Sequence, residues 1–551
     1  VKLKQKLIWL VLALATAMQV ATADSEVVYP PALKPEMQEA RAARLAAEVL
    51  SRYHYKPVAL DDALSTATFN QYLKALDAEK LYFLQSDIDQ LEVYRTRLDD
   101  AILTEDLRGP FDIFNLYERR MAERMAYSRS LLQSGFDFKR DETLQIDRKD
   151  QPWPATEAQL HDLWRKTVKN DWLRLKLAGQ DDGQIAKVLD KRYDNVAKSL
   201  AKIKGADAFQ AFMNAYTTAI EPHTNYLGPR AAEDFSIAMR LSLVGIGAVL
   251  SDIDGYATIR ELVAGGPASV SGQLKVGDRI VGVAQGAAGA VEDVVGWRLD
   301  DTVALIRGTV DSTVRLDILP VDGGPDAAIK TVVLVRNTIT MQDRAAKAKV
   351  YSVTQGDSKR LIGVITLPSF YEDAEAAQKG DKDYRSATRD VAALLVKLKA
   401  QKVDGLLLDL RNNGGGSLRE AVTLTGLFVG KVPVVQTRGA KGEVTVGKNA
   451  DTSVAWDGPL GVLINRGSAS ASEIVAAAIQ DYGRGLILGE PSFGKGTVQT
   501  VADLDQLARN PKPTYGELKM TIAQFFRVNG GTTQLRGVTP DIGFLATSDD
   551  A

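Results

Sequence analysis

The sequence predicts a multidomain α+β protein in three parts: an N-terminal helical domain, a small β-rich module and a C-terminal α/β domain. Three changes of texture along its 551 residues predict this. From about residue 32 to residue 220, apolar residues recur every three or four positions with charges between them. From about 236 to 320, short β-rich runs are punctuated by glycines, and from about 359 strand-like and helix-like stretches alternate. The domains are placed at 24–230, 231–320 and 359–551, with linker strands over 321–358.

In the helical part, RAARLAAEVLSRY, FDIFNLYERRMAERMAYSRSLL and AFQAFMNAYTTAI each carry one apolar stripe. IEPHTNYLGPR, with Pro222, Asn225, Gly228 and Pro229, ends it. In the middle part SLVGIGAVL, YATIRELV, DRIVGVA and VRLDILP read as strands, while PASVSG and GWRLDDTVALIRG read as a short and a longer helix. In the last part RLIGVITL, GLLLDL, PVVQT and PLGVLIN are strands, and RSATRDVAALLVKLKA and LREAVTLTGLF are helices. Such alternation gives a largely parallel sheet, whose sites lie at the carboxyl ends of strands. Two loops fall at such ends, RNNGGGS and RGSASASE.

Composition narrows the chemistry. The chain is 45% hydrophobic and 25% charged, and 68 Lys plus Arg nearly balance 70 Asp plus Glu, so no net field recruits nucleic acid. No cysteine is present, which removes a thiol nucleophile, thiolate metal sites and disulfides. The three histidines, His54, His161 and His223, form neither an HExxH nor a pair at metal spacing. No metal or organic cofactor is expected, and an activated lysine becomes the more interesting base. At the N-terminus Lys2, Lys4 and Lys6 precede an apolar run of 12 residues, Leu7 to Met18, and then Ala21-Thr22-Ala23. The run is short of the roughly 20 residues that span a membrane, so residues 1–23 read as a cleavable signal peptide. Export to the periplasm follows, with or without association with the inner membrane.

GEPSFGKGT, residues 489–497, approximates a phosphate loop, but Gly496 stands where a Ser or Thr would ligate magnesium. A phosphate loop also needs a following helix, whereas GTVQTV reads as strand. Upstream, Ser468, Ser470 and Ser472 follow the strand PLGVLIN and open an apolar helix. A serine at a helix N-terminus has free N–H groups and the helix dipole available to a developing oxyanion. Ser470 and Glu473 also have capping-box spacing, so a purely structural N-cap is the alternative.

The middle module resembles a PDZ domain, on LVGIG and on AGGPASVSGQLKVGDRIVGV (264–283). The resemblance places Leu243, Val244, Gly245, Ile246 and Gly247 at the loop whose N–H groups take a peptide's terminal carboxylate. IEPHTNYL, the PDZ-like module, LDLRNNGGGSL, SASASE, GEPSFGKGTVQ and GVTPDI (537–542) occur together, in that order. So arranged, the chain resembles the carboxy-terminal processing, or tail-specific, proteases, exported serine peptidases with a Ser-Lys dyad on a ClpP/crotonase-like layer. Members resembling this chain often continue past the closing motif into a further helical segment.

The resemblance implies Ser470 as nucleophile, Lys495 as general base, Gln499 and Asp481 as further catalytic-site residues, and Ala471 with Gly416 as the oxyanion hole, Gly415 being the next candidate. It implies protein or peptide substrates with apolar C-termini, cell-envelope proteins among them, and identifies no adaptor. A lysine of ordinary pKa cannot deprotonate serine at neutral pH. Lowering it to about 7 costs the charged form roughly 4 to 5 kcal/mol. Phe493, Gly494 and Gly496 are expected to wall the lysine, and a strand through GTVQT would place Lys495 and Gln499 on one face. Asp481, eleven residues along a helix from Ser470, would lie about 16 Å up the axis and support the fold rather than touch the serine. A catalytically inactive PDZ scaffold of the cell envelope is the alternative function.

Overall fold

The computed structural model describes residues 27–323 and 328–544. The expected signal peptide lies outside the described residues. The chain divides into two compact units, one of residues 27–44 and 59–222, the other of 45–58 and 223 onward.

The first unit is helical, as the periodicity predicts. Its longest helices are Arg108–Ser130, Glu157–Leu177 and Asp182–Leu200. Asp61, Thr156 and Asp181 begin their helices as N-caps, each side chain accepting a backbone N–H three residues on. Apolar stripes meet in a core around Val168, Trp172, Ile185 and Leu189, and Tyr72 meets Phe212 edge-on at 5.8 Å.

The second unit holds two bodies of β-structure, each with its own core. The PDZ-like sheet runs in the order Ala248–Ile253, Tyr256–Leu262, Arg279–Gln285, Thr313–Leu319, Lys330–Val335, around Ile259, Ile280, Val314 and Leu316. Lys330–Val335, a linker strand by sequence, is thus the last strand of this sheet, paired antiparallel with Thr313–Leu319. SLVGIGAVL, read as one strand, is two. Ser242–Gly245 pairs with Asn337–Thr340, and the chain turns at Gly247, φ +73°, into Ala248–Ile253 of the main PDZ-like sheet. A Cβ on Gly247 would meet Gly266 Cα at 3.0 Å, so the turn requires glycine.

The α/β body has a six-stranded sheet in the order Lys347–Gln355, Ser358–Thr366, Gly405–Asp409, Leu460–Ile464, Leu486–Gly489, Ile542–Gly543. Every pairing after the first is parallel. Its three central strands, GLLLD, LGVLI and LILG, read as apolar runs because helices Ala387–Ala400, Leu418–Val429 and Ala471–Asp481 pack into the same core. A second sheet centres on Glu517–Phe526, which pairs with Thr497–Asp503 and, at separate stretches, with Asn225–Leu227 and Pro433–Gly439. The IEPHTNYL motif supplies Asn225–Leu227. Beside it His54 is 2% exposed, its ring nitrogens engaged by the Lys56 carbonyl and the Thr224 hydroxyl.

Among the described residues no helix is long and apolar enough to cross a membrane, and no group of acidic or histidine side chains could hold a metal ion.

Candidate active site

Three neighbouring parallel strands end on the same edge of the sheet. Gly405–Asp409 leads into the glycine loop at 411–417, Leu460–Ile464 into the serine loop at 465–470, and Leu486–Gly489 into the lysine loop at 490–496. Since the strands run the same way, all three loops leave from carboxyl ends, with the serine loop in the middle. Residues distant in sequence meet because their strands are neighbours.

The three serines part company here. The Ser468 hydroxyl, fully buried, donates to the Leu410 carbonyl at 2.8 Å, and that of Ser472, also fully buried, to the Asn413 carbonyl at 2.8 Å. Both hold the serine loop to the glycine loop. Ser470 is half-buried, stands at the N-cap of Ala471–Asp481, and makes no side-chain capping bond. The capping-box reading is therefore half right: Glu473 accepts the Ser470 N–H at 2.8 Å, but the serine oxygen is not spent on the helix. Ser470 has φ +57°, ψ −111°, a conformation costing a non-glycine residue of order 1–3 kcal/mol and one that clusters where a side chain must be presented.

Glu473, 0% exposed, is the residue that sequence reasoning left as a cap and that joins two loops. Its Oε2 accepts the N–H of Ser470 at 2.8 Å and of Lys495 at 3.0 Å; its Oε1 accepts the Ser492 hydroxyl at 2.7 Å and the Gly494 N–H at 2.8 Å. Burial pushes this carboxyl up and the four donors pull it down, with burial the larger effect. Replacing Glu473 by Gln puts an NH₂ group against two donors. The expected result is a roughly 100-fold loss of kcat, about 2.7 kcal/mol, with KM little changed, measured on a chromogenic peptide.

The glycine loop is fastened by Asn413, also 0% exposed and also missed by sequence reasoning. Its amide donates to the Leu367 carbonyl at 2.8 Å and accepts the Gly415 N–H at 2.9 Å, and its carbonyl takes the Ala469 N–H at 3.0 Å. A Cβ on Gly415 would lie 2.9 Å from Ser470 Cβ, and one on Gly416, φ +144°, would meet the Phe370 carbonyl oxygen at 2.3 Å. Only glycines let the two backbones approach this closely. The Gly415 N–H is spent on Asn413, whereas those of Gly416 and Ala471 donate to no other group among the described residues.

The closing motif holds the lysine loop in place. Val538 and Ser492 exchange hydrogen bonds, Asp541 takes the Ile487 N–H at 2.8 Å, and the Thr533 hydroxyl donates to the Lys495 carbonyl at 3.2 Å. Gly496 fits because a Cβ there would lie 2.9 Å from Gln534 Cβ. Two expectations change. Phe493 is 60% exposed, so it does not enclose the lysine. The strand begins only at Thr497 and is irregular between Val498 and Gln499, so two-residue alternation does not run from Lys495 to Gln499. The Gln499 amide instead donates to the hydroxyls of Thr497 and Thr521, both at 2.9 Å. That a strand rather than a helix follows Lys495 also removes the frame of a phosphate loop.

Asp481 is the last residue of the helix that Ser470 opens. Its carboxylate receives Arg527 at 2.6 Å and Asn529 at 2.9 Å. Ion-pair side chains this enclosed, 8% and 17% exposed, are costly to break singly. Asp481→Ala is expected to lower stability by about 3 kcal/mol, read from the denaturant midpoint, while the folded fraction keeps its peptidase activity.

In the PDZ-like body, Leu243, Val244 and Gly245 lie in the ladder with Asn337–Thr340, while Ile246 and Gly247 make the turn. The N–H groups of Ile246 and Gly247 donate to no other group among the described residues. Ala248–Ile253 is the terminal strand of its sheet, and helix Leu299–Ile306 packs beside it. An open strand edge next to a helix, headed by unspent N–H groups, has the hydrogen-bonding capacity to take an extended peptide end.

Three family profiles match successive parts of the chain. The profile of the tail specific protease N-terminal domain matches residues 46–230, that of the PDZ domain 235–319, and that of peptidase family S41 361–544. The chain is 43% identical over 515 residues to the tail-specific protease of Haemophilus influenzae, covering 93% of this chain and 71% of that protein. It is 32% identical over 331 residues to the carboxy-terminal-processing protease of Bartonella bacilliformis, covering 60% and 68%. Among solved structures it is similar to the photosystem II D1 C-terminal processing protease, at 26% identity and TM-score 0.33 over 64% of this chain and 86% of that one. The PDZ domain of a carboxy-terminal protease from Vibrio cholerae, solved with a peptide, is 56% identical at TM-score 0.17, covering 18% of this chain and 98% of its own.

Proposed function

The chain belongs to the tail-specific protease family of serine-type peptidases, with PDZ and peptidase S41 domains, and from that premise we propose that it is an exported endopeptidase cutting with a Ser470–Lys495 dyad. One observation carries the reading: a single oxygen, Glu473 Oε2, accepts the backbone N–H of both Ser470 and Lys495. Two residues 25 apart in sequence are thereby held at one point, as a nucleophile and its base must be.

In the proposed reaction the neutral Lys495 amine takes the proton of Ser470 as its Oγ attacks the scissile carbonyl. The oxygen of that carbonyl, now negative, lies against the N–H groups of Ala471 and Gly416. The protonated lysine then gives its proton to the leaving amine as the C–N bond breaks, which leaves an acyl-enzyme. Lys495 next deprotonates a water that attacks the ester, and Ser470 recovers its proton. Gln499, held through its amide nitrogen by two threonines, offers its amide oxygen to the lysine amine without adding charge. Asp481 serves through Arg527 and the fold.

Substrates are proteins with apolar C-termini, delivered through the turn at Ile246 and Gly247 and the edge strand Ala248–Ile253. The working compartment is the periplasm, reached through the signal peptide and including proteins of the cell envelope. The test is a reporter protein with an unstructured tail ending in apolar residues, beside the same reporter ending in two aspartates. Cleavage is expected with an acyl adduct on Ser470 by mass spectrometry, and the charged tail is expected to lower kcat/KM about tenfold. No cleavage and no adduct would leave the inactive PDZ scaffold as the function.

A further inference from the structure

Leu535 is a leucine that neither burial nor backbone explains. It is 89% exposed and stands at φ +62°. It occupies the third position of a turn that the Thr533 carbonyl closes with the N–H of Arg536 at 3.1 Å, a place where positive φ favours glycine or asparagine. The left-handed conformation costs such a side chain roughly 1–2 kcal/mol. Phe493 is likewise 60% exposed, although Ser492 and Gly494 on either side are buried.

Both residues are mounted on the lysine loop's own framework. The Leu535 N–H donates to the Gly494 carbonyl at 2.8 Å, and the Phe493 N–H to the Ser468 carbonyl, two residues before the nucleophile, at 2.9 Å. Gly494 and Lys495 are in turn held by Glu473, and the Thr533 hydroxyl holds the Lys495 carbonyl. Two large apolar side chains are therefore displayed to solvent from rigid backbone, adjoining Ser470 and Lys495. A leucine held exposed in the left-handed conformation, with an exposed phenylalanine on the same hydrogen-bonded frame, points to a contact with something outside the fold.

We infer that Phe493 and Leu535 form the apolar contact for the substrate residues that flank the cleaved bond, and so determine specificity there. The occupant is the extended substrate chain because backbone hydrogen bonds fasten both residues to the loops that carry Ser470 and Lys495, and the inference rests on the reading of that pair as catalytic. It concerns side chains beside the cut, separate from the C-terminal end that the PDZ-like turn receives.

The test uses the full chain as Phe493→Ser, Leu535→Asn and the double variant. Two short peptide series differ only in having Leu or Val, or Ser or Asn, beside the cleaved bond, and a small fluorophosphonate reports Ser470. Labelling is expected at the wild-type rate. For the double variant, kcat/KM on the apolar series is expected to fall about tenfold through KM, and on the polar series less than twofold. An equal change in both series, or none in either, overturns the inference. If the double variant fails to label because it does not fold, Leu535→Gly, which relieves the backbone and removes the side chain, decides the same comparison. A shift in oligomeric state with unchanged selectivity assigns the patch to a second copy and overturns it too. Lack of labelling in the wild type fails at the earlier step, Ser470 as nucleophile, and the inference falls with it.

Discussion

Ser470→Ala is expected to lower kcat for peptide hydrolysis by about 10⁴- to 10⁶-fold without measurable loss of stability. The two halves of this result come from one observation. The Ser470 oxygen makes no capping bond, so removing it takes nothing from the helix, and the φ of +57° is no harder for alanine than for serine. Neighbouring serines are expected to behave in the opposite way. Ser468→Ala and Ser472→Ala each delete a fully buried hydrogen bond and should destabilise by about 1–2 kcal/mol while leaving the folded enzyme active. Denaturant unfolding and single-turnover cleavage of all three variants separate the roles. Equal residual activity in Ser470→Ala and wild type would falsify the nucleophile assignment.

Lys495→Arg is expected to be nearly as inactive as Lys495→Ala, with kcat down by at least about 10⁴-fold. Arginine keeps the positive charge but does not give up its proton at accessible pH, so it cannot act as a base. The comparison discriminates among the possible duties of the residue. A lysine that grips a phosphate or simply stabilises negative charge would tolerate arginine in part, whereas a lysine that must be neutral would not. Neither change touches the Lys495 N–H to Glu473, so the loop should stay in place and Ser470 should remain accessible. Substantial turnover by Lys495→Arg, measured with the same peptide as wild type, would rule out the proton-transfer role.

Much of the architecture could be read from residue pattern. The helical stretch, the PDZ-like strands and the parallel alternation each rest on a local period, and local periods survive folding because burial acts on one face at a time. Where glycine conformation or distant pairing intervened, the pattern fell short. SLVGIGAVL is uniformly strand-like, yet a single positive φ at Gly247 divides it between two sheets. Lys330–Val335 has nothing in its composition to say that it joins the sheet of Thr313–Leu319. The face-alternation argument linking Lys495 to Gln499 assumed an unbroken strand, and the strand starts two residues late.

At the site, residue pattern placed a group of serines opening a helix and a glycine loop at strand ends and marked an imperfect phosphate loop around Lys495, while the choice of Ser470 and Lys495 came from the resemblance to the tail-specific proteases. Residue types and their spacing could not show which serine oxygen is uncommitted, because Ser468, Ser470 and Ser472 are alike until Leu410 and Asn413 claim two of them. Nor could they reveal Glu473 as more than a cap, since the Lys495 and Gly494 amides that complete its role arrive on a different strand. Chemistry is carried by residue identity and is legible along the chain. The pairing of a buried carboxylate with donors from separate loops depends on which strands become neighbours, and that is settled only when the sheet closes.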